Sequence, residues 1–402
     1  MQTLAQTNRQ IKVYTNVVQT FYAAKPGLAR ARSSVKESVV GPLTPAEVER
    51  EARARLPPET WDFIQGGSGA ERTLAANLAQ FGRYALRPRV LVDVSACDPS
   101  LELLGDRLSA PIAIAPMAYH QLAHPEGELA TARAAGRAGL PLVAGIFASR
   151  TLEEIAAVAT GPLWLQLYWL RRREALAALV ERAEAAGYRA LVLTVDAPRV
   201  GRRLRDVRNG FTVPEGVRAV NLDPSLMAAS HRRAEGASGI EAHAREQFDP
   251  TLTWDDLAWL SERSSLPLVL KGILTAEDAR RAVDHGAAAL VVSNHGGRQL
   301  DGAPPTLAVL PEVVGAVPAD LPVLVDGGVR RGTDVAVALA LGARAVLVGR
   351  PVLWGLARAG EAGVEQVLGL LRSELDDAMA LSGRPRLRDF DRSAVAHWDH
   401  GM

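Results

Sequence analysis

The sequence predicts an α/β protein built as a single (β/α)8 barrel, also called a TIM barrel. Eight short runs of aliphatic residues recur along the chain, and each ends in glycine, proline or a polar residue. Continuous apolar runs are typical of parallel strands that are buried on both faces. Alanine-rich amphipathic segments, such as 171–186 and 276–285, separate the runs and predict helices. Strands that alternate with helices favour the closed barrel, and a doubly wound sheet with a second domain is the alternative.

Local signals place the elements in chain order. Thr44 precedes Pro45 and Glu47, the pattern of a helix N-cap with proline in the first turn, so an N-terminal helical segment should precede the barrel. The eight strands are expected at Pro111–Pro116, Pro141–Gly145, Leu163–Tyr168, Ala190–Asp196, Pro267–Gly272, Ala289–Asn294, Pro322–Gly327 and Ala345–Arg350. Residues 197–266, after the fourth strand, form a connection of about seventy residues that leaves the face where barrel active sites lie. Loops of this length inside a compact domain are usually lids or disordered segments, and we interpret this one as a substrate lid because of the face it leaves.

The charge is balanced over the whole chain but not along it. The 402 residues include 46 Lys and Arg against 45 Asp and Glu, which argues against a nucleic-acid-binding protein. Residues 1–40 hold six basic residues and one acid, so we expect a basic, partly disordered extension before a barrel domain at 41–402. Cys97 is the single cysteine, which excludes a cysteine-rich zinc site and fits a reducing, cytoplasmic compartment. No apolar run is long enough to cross a bilayer, and no metal site is predicted.

The residues that follow the last two strands are typical of a phosphate-binding site. DGGVRRG, residues 326–332, and GRP, residues 349–351, place glycines and arginines after the seventh and eighth strands. Barrels commonly bind phosphate there through backbone N–H groups and a helix N-terminus. Two glycine turns with surface arginines would give the same letters, so the pattern leaves both interpretations open.

SNHGGRQLDG, residues 293–302, is the most distinctive motif of the chain. His295 lies among glycines beyond an apolar strand, where its ring can face a ligand and act as a general base. Asp196, at the end of the fourth strand, can pair with His295 and raise its basicity. Arg298 can present a bidentate fork to a carboxylate. Arg203 is a second candidate for that role, although spacing alone does not choose among the arginines of the lid.

Lys271 is the one lysine beyond residue 40, where arginine otherwise supplies the positive charge. It ends the fifth strand, LVLKG, so its ammonium group should enter the barrel mouth. There it can stabilise negative charge on a reduced cofactor or form a Schiff base. A phosphate motif beside histidine and arginine favours a phosphate-bearing redox cofactor. A structural salt bridge is the remaining alternative, although arginine would have served that purpose.

Together these motifs resemble the FMN-dependent 2-hydroxy acid oxidase and dehydrogenase family. The resemblance rests on APMAYHQLAHPEGE (115–128), LQLYWL, LTVDAPRVGRRLRD, LVLKGILTAEDA, SNHGGRQLDG, DGGVRRGTD and GRP, and it covers Leu43 to the C-terminus. It implies FMN as the cofactor, a small-molecule 2-hydroxy acid as the substrate and a homotetramer or homo-octamer as the assembly. TWDFIQGG and GRRLRDVRNGF look most like the 4-hydroxymandelate (mandelate) oxidases of that family.

The resemblance also implies a role for each residue at the mouth. His295 is similar to the catalytic base of the family, with Asp196 as its support, and Tyr168 would hydrogen-bond the substrate hydroxyl or the developing oxo group. Arg203 and Arg298 would bind the substrate carboxylate. The residues expected to bind FMN are Pro116, Met117 and Ala118 at its reactive N5, Gln166, Thr194 and Ser293 at the isoalloxazine ring, Lys271 at the N1–C2 edge, Asp326 at the ribityl chain, and Gly328, Arg330, Gly349 and Arg350 at the phosphate.

Two departures from the family pattern narrow the expected reaction. Phe63 stands where glycolate and lactate oxidases have a carboxylate-binding tyrosine, so an aryl side chain is favoured over glycolate. Ala118 stands where membrane-linked mandelate dehydrogenases tend to have glycine, which favours O2 as the electron acceptor. We therefore expect oxidation of an (S)-2-hydroxy acid, mandelate or 4-hydroxymandelate, to the 2-oxo acid with release of H2O2. The alternatives are a lactate- or glycolate-type oxidase, a dehydrogenase that passes electrons to a quinone or a protein, and a non-catalytic flavin-binding barrel.

Overall fold

The computed structural model describes residues 41–222 and 244–398, and the expected barrel lies within them. All eight predicted runs form parallel strands that hydrogen-bond in chain order into one closed barrel. The barrel strands are β1 Ile112–Ile114, β2 Leu142–Ala144, β3 Leu163–Leu167, β4 Ala190–Thr194, β5 Leu268–Ile273, β6 Ala289–Val292, β7 Val323–Val325 and β8 Ala345–Val348. The prediction of a single barrel is confirmed, and the doubly wound alternative is wrong.

The barrel strands are apolar throughout because both of their faces are buried. Side chains alternate along each strand. One set, which includes Ala113, Val143 and Trp164, forms a compact cluster inside the barrel. The other set, which includes Ile112 and Leu165, packs against the surrounding helices. A strand with no solvent-facing side needs no polar alternation, which explains the continuous runs in the sequence.

A two-stranded antiparallel hairpin, residues 101–108, closes the amino end of the barrel. Its side chains Leu103 and Leu108 are buried in the same cluster as the inward-facing strand residues. Arg189, directly before β4, pairs with Asp106 of the hairpin across 3.3 Å. The hairpin is therefore a plug at the end of the barrel opposite the predicted mouth.

Helices surround the barrel and also precede it. Thr44 caps the first helix, where its hydroxyl accepts from the backbone N–H of Glu47 at 3.3 Å, so the predicted N-terminal helical segment is confirmed. The helices are α1 Pro45–Arg55, α2 Pro58–Gln65, α3 Arg72–Phe81, α4 Glu128–Arg137, α5 Leu152–Val158, α6 Arg173–Ala185, α7 Leu204–Asn209, α8 Leu257–Ser261, α9 Ala276–Asp284, α10 Thr306–Val314, α11 Gly332–Ala340 and α12 Arg350–Leu381. The helices predicted at 171–186 and 276–285 correspond to α6 and α9.

The predicted lid, residues 197–266, is described in two parts. After β4 the chain forms α7, and it returns through Phe248, which pairs with Leu170, and then α8 to β5. Residues 223–243 of the lid and the basic extension, residues 1–40, lie outside the described residues. Within 41–222 and 244–398, none of the helices has the length and apolarity to span a membrane, and no cluster of His, Cys, Asp and Glu is arranged to hold a metal ion.

Candidate active site

The carboxyl ends of the strands open into one cavity that collects nearly all of the predicted site residues. Asp196 and Ser293 do not line it; they lie behind it and contact lining residues. The predicted residues that line the cavity are Phe63, Pro116, Met117, Ala118, Gln166, Tyr168, Thr194, Arg203, Lys271, His295, Arg298, Asp326, Gly328, Arg330, Gly349 and Arg350. The N-terminal helices, the lid and the barrel strands therefore all contribute to one place.

His295 and Asp196 form a hydrogen-bonded pair at this cavity. Nδ1 of His295 lies 2.8 Å from Oδ1 of Asp196, so Nδ1–H donates to the carboxylate and Nε2 keeps its lone pair. Burial lowers the pKa of His295 below its ordinary value, and this effect outweighs the expected opposite influence of Asp196. Lys271 and Arg203 lower the pKa further through their positive charges. The imidazole is therefore neutral at pH 7 and can accept a proton at Nε2.

The backbone that carries His295 lies in a sparsely populated conformation. The φ angle of His295 is 60°, in the left-handed region that residues with a Cβ rarely adopt. Gly296 and Gly297 continue the turn with positive φ angles. The hydroxyl of Ser293 accepts from the backbone N–H of His295 at 3.0 Å and holds the start of the turn. This turn directs the imidazole into the cavity immediately beyond β6.

Tyr168, which follows β3, places its hydroxyl 3.3 Å from Nε2 of His295. Burial, together with the charge of Asp196, raises the pKa of the Tyr168 hydroxyl to about 12, so this group stays protonated. Its ring stacks on Phe248 of the lid with the two ring centroids 4.4 Å apart. A proton donor and a proton acceptor thus converge on one point, as an alcohol substrate requires.

Arg203 and Arg298 approach the cavity from the lid and from the loop after β6. Their guanidinium carbons lie 5.9 and 5.2 Å from the centroid of the Phe63 ring. Nη1 of Arg298 donates to the carbonyls of Phe63 and Gly66 at 2.7 and 2.8 Å, and among the described residues its Nε and Nη2 have no acceptor. Burial and the charges of Arg203 and Arg350 hold the pKa of Arg298 well below its ordinary value. A bound carboxylate would relieve this repulsion, so the two arginines are suited to hold one.

Lys271 is buried at the end of β5 between two partners. Its Nζ lies 3.0 Å from Oδ2 of Asp326 and donates to the hydroxyl of Ser293 at 2.9 Å. Burial opposes the charge, but the carboxylates of Asp326 and Asp196 outweigh it and raise the pKa of Lys271, so the amine remains protonated. A protonated amine is a poor nucleophile, which disfavours the Schiff base. The salt bridge is present, yet the ammonium also lines the cavity, where its charge faces a ligand.

The motif after β7 forms one wall of the cavity and fits a phosphate group. Gly327 and Gly328 have φ angles of 87° and 98°, and a Cβ on Gly328 would lie 2.3 Å from the carbonyl oxygen of Asn77. The backbone can follow this path only without side chains. Arg330 packs with its guanidinium carbon 5.0 Å from the centroid of a Trp354 ring, and burial lowers its pKa to about 10. An enclosed guanidinium beside bare backbone is a favourable environment for phosphate oxygens.

The side chain of Arg350 is held by backbone carbonyls, and its role at the phosphate stays a prediction. Nε, Nη1 and Nη2 of its side chain donate to the carbonyls of Ile64, Gly296 and Gly66 at 3.1, 3.0 and 3.0 Å. The guanidinium therefore ties the end of α2 to the turn that follows His295. Arg350 is also the first residue of α12, so we expect it to meet phosphate through its backbone N–H at the helix N-terminus.

The remaining polar groups fit the other parts of FMN. Oδ1 of Asp326 is buried without a hydrogen-bond partner among the described residues, so it can accept from a ribityl hydroxyl. The Gln166 amide donates to the hydroxyl of Thr194 at 3.1 Å and accepts from the N–H of Ile146 at 3.2 Å, which fixes a polar edge for a flat heterocycle. Among the described residues, one carboxylate, that of Asp326, lines the cavity against five cationic side chains, namely Lys271, Arg203, Arg298, Arg330 and Arg350. A phosphate and a substrate carboxylate would balance this excess of positive charge.

Three of the described aromatic residues of the cavity have no role predicted from the sequence: Tyr119, Phe147 and Phe248. The ring of Tyr119 lies 6.1 Å from that of Phe147. Phe147 lies three residues beyond β2, and Phe248 lies in the lid. The ring centroids of this pair are 6.0 Å apart, and Phe147 also packs 5.7 Å from the Tyr168 ring. The position of Phe147 near a strand end was a usable signal. Phe248 had none, because its approach to the mouth depends on the path of the lid.

Known proteins resemble this chain in sequence and in structure over most of its length. Residues 52–397 match the family model described as FMN-dependent dehydrogenase. The 4-hydroxymandelate oxidase of Amycolatopsis orientalis is 53% identical over 84% of this chain and 94% of its own length. The L-lactate oxidase of a Nostoc species is 51% identical over 89% of this chain and 98% of its own length. The crystal structure of mandelate oxidase with (S)-4-hydroxymandelic acid is 50% identical, with a TM-score of 0.85, over 88% of this chain and 98% of that chain.

These likenesses confirm the resemblance that the motifs indicated, and the matched region contains every residue of the cavity. They identify the cofactor as FMN and the activity as oxidation of a 2-hydroxy acid. The names of the relatives refer to different 2-hydroxy acids, so the side chain of the substrate has to be argued from the cavity. The chain belongs to the family of FMN-dependent dehydrogenases.

Proposed function

We propose that the chain oxidises an (S)-2-hydroxy acid with an aryl side chain, mandelate or 4-hydroxymandelate, to the 2-oxo acid. The main observation in support is that two arginines and several aromatic rings line the same cavity. Arg203 and Arg298 suit the carboxylate, while Phe147 and Phe248 offer apolar faces beyond the hydroxyl-binding point at Tyr168. An aryl ring that leaves water for such faces gains both apolar burial and ring packing.

Phe63 supports the same choice of substrate. Its ring is 5% exposed and stacks on Phe211 of the lid, with centroids 4.5 Å apart and planes 5° apart. The side chain has no hydroxyl to donate to a carboxylate, so binding of the acid rests on the arginines. A small acid such as glycolate would leave this aromatic surface uncovered.

The residues divide the chemistry between them. FMN, held by Lys271, Asp326 and the turn after β7, would supply the two-electron oxidation of the alcohol to the oxo group and would pass both electrons to O2, which gives H2O2. Nε2 of His295 accepts the proton that the substrate releases, because Asp196 holds Nδ1 and fixes the tautomer. The Tyr168 hydroxyl donates to the substrate oxygen, and the charge of Lys271 stabilises negative charge that develops in the cavity.

Anaerobic mixing with (S)-mandelate, 4-hydroxymandelate, lactate and glycolate, followed by flavin absorbance, tests the proposal. We expect both aryl acids to bleach the flavin faster than the small acids. Bleaching by none of them would reject the activity, and faster bleaching by glycolate would reject the aryl assignment.

A lactate-type oxidase is the second candidate for the substrate, and the 51% identity to an L-lactate oxidase favours it. The same anaerobic series decides between the two, through the ratio of the rates with lactate and mandelate. The proposed acceptor is O2, in line with the oxidases among the relatives. Slow O2 consumption together with fast reduction of a quinone analogue would instead indicate a dehydrogenase.

Assembly and domain limits are part of the proposal. Val90, Leu91 and Leu381 are 80%, 103% and 78% exposed, and this apolar surface supports a homotetramer or homo-octamer. Light scattering of the purified protein tests it, and a monomer would reject it.

We also propose that residues 41–402 suffice for catalysis, because the family match begins at residue 52. Removal of residues 1–40 should leave the FMN content and kcat unchanged.

The proposed compartment is the cytoplasm. Cys97 is the single cysteine of the sequence, so the fold needs no intramolecular disulfide and suits a reducing environment. Recovery of the activity in the membrane or periplasmic fraction of fractionated cells would reject this assignment.

A further inference from the structure

We propose that Gln299 is a positioning residue that clamps residues 196–203, the junction of the fourth strand with the lid (the lid start), to the loop that carries His295 and Arg298. The lid start supplies Asp196 and Arg203, and the loop supplies their counterparts. The inference rests on the functions proposed above for these four side chains. Gln299 itself has no assigned role, although it is buried and lines the cavity.

The side-chain amide of Gln299 makes three hydrogen bonds to the backbone of the lid start. Its Oε1 accepts from the N–H of Gly201 at 2.8 Å. Its Nε2 donates to the carbonyls of Asp196 and Arg199, each at 3.0 Å. Both amide hydrogens and the amide oxygen are therefore used, and the partners determine which end is oxygen. A carboxylate of the same shape would place an oxygen against two carbonyl oxygens.

Close backbone approach at Gly201 is a second feature of the same clamp. A Cβ at Gly201 would lie 2.5 Å from the carbonyl oxygen of Arg298 and 2.5 Å from that of Gln299. These are backbone atoms, which cannot rotate away as a flexible side chain does. The lid start can lie this close to the loop only because residue 201 has no side chain.

The clamp acts on both functional pairs. Asp196 makes both contacts: its backbone carbonyl accepts from Gln299, and its carboxylate accepts from Nδ1 of His295 at 2.8 Å. Arg203 follows Gly201 by two residues, so the position of its guanidinium depends on the same backbone. Loss of the three hydrogen bonds would let the lid start shift, and shifts of about 1 Å at reacting groups reduce rates by roughly 100-fold.

The loop after β6 has other attachments that do not involve Gln299. The carboxylate of Asp301 accepts from the N–H groups of Ala70 and Thr73 at 2.8 and 3.0 Å. Arg298 donates to the carbonyls at the end of α2. A change of Gln299 should therefore release the lid start while the His295 loop stays in place, which separates positioning from folding.

Gln299→Glu and Gln299→Leu, measured as FMN-loaded proteins, test the clamp, with Leu300→Ser as the matched control on an exposed neighbouring side chain. We expect the KM for (S)-mandelate to rise and kcat to fall, each ~10- to 100-fold, since Arg203 and Asp196 both move. Amide hydrogen exchange of residues 196–203 should accelerate, while residues 293–298 and the control stay as in the parent. Parent-like kinetics and exchange in both Gln299 variants would overturn the proposal, as would a lower Tm with unchanged KM and kcat.

Gly201→Ala keeps the test decisive if the Gln299 variants fail to fold. It should produce the same loss and the same local exchange by steric means. Combining Gln299→Leu with Arg203→Lys separates positioning from general damage, because effects on KM that pass through Arg203 are non-additive. Full additivity would count against the clamp. If the parent reduces its flavin with none of the acids, the proposed function fails, whereas hydrogen exchange still decides the clamp.

Discussion

The two ends of the barrel contrast in chemistry although the same eight strands build both. At the amino end, the hairpin 101–108 seals the barrel with leucines, and the inner side chains are aliphatic residues together with Trp164. At the carboxyl end, three strands carry a polar side chain within two residues of their last residue. These side chains, Gln166, Thr194 and Lys271, face a cavity rich in positive charge. Apolar packing at the amino end thus makes the barrel rigid. That rigidity supports a cluster of buried positive charges at the carboxyl end, which apolar packing alone would not stabilise.

This contrast shows where stability and function reside. Side chains in the plug make contacts that any solvent-excluded core would make, so their loss should reduce stability without selective loss of activity. Side chains at the mouth are buried cations whose favourable partners include ligand anions, so their loss should change binding and rate more than folding. Substitutions at the two ends can test this separation.

The largest expected effect is at the mouth, with His295→Asn. Without an imidazole, the proton of the substrate has no acceptor at the position of Nε2, so kcat should fall by about 10²- to 10⁴-fold. FMN content and Tm should stay near those of the parent. Stopped-flow flavin reduction with (S)-mandelate measures the effect, and a loss below tenfold would contradict the role of His295.

At the opposite end, Leu103→Ala should reduce the free energy of unfolding by about 2–5 kcal/mol, because Leu103 is 1% exposed in the plug and its loss leaves a cavity. Denaturant unfolding measures the change, and Leu43→Ala at an exposed site is the control. The kcat and KM of the folded fraction should match the parent. A selective loss of kcat would show that the two ends are not independent.

The pH dependence of kcat/KM tests the electrostatic environment of His295 at the mouth. Burial holds the pKa of His295 below its ordinary value of about 6.5, so the acidic limb of kcat/KM should lie below that pH. Asp196 raises the pKa of His295, and Asp196→Asn removes that effect. The limb should therefore move to still lower pH, while the maximal rate falls. A limb that moves to higher pH would contradict the assignment.

The smallest expected effect concerns substrate choice within the mouth. Phe63→Tyr adds a hydroxyl near Arg203 and Arg298, where it can donate to a carboxylate. We expect kcat/KM for lactate and glycolate to rise relative to mandelate by a few-fold, the size of one hydrogen bond of about 1 kcal/mol. Phe63→Leu, which removes the ring without adding a donor, is the control. An unchanged ratio would exclude Phe63 as a determinant of specificity.

Much of the site could be predicted from the sequence, because parallel strands end at one face. His295, Lys271, Asp326 and Thr194 end or follow apolar runs, so the sequence alone predicts each of them at the mouth, and all four line the cavity. Long-range contacts set the limits of this reasoning. The side chain of Arg350 lines the cavity but is held by the carbonyls of Ile64, Gly66 and Gly296, and Ser293 lies behind the wall.

The sequence by itself determined the barrel, its strand order and the family. The apolar runs and the motifs that indicate them each span only a few consecutive residues, so they can be recognised without knowledge of long-range contacts. Only the tertiary structure decided how Phe248 reaches Tyr168 and how Gln299 holds the lid start. It also decided that the balance of effects lowers the pKa of His295, although Asp196 alone would raise it. These features depend on groups distant in sequence that become close when burial removes water, and no local pattern encodes that geometry.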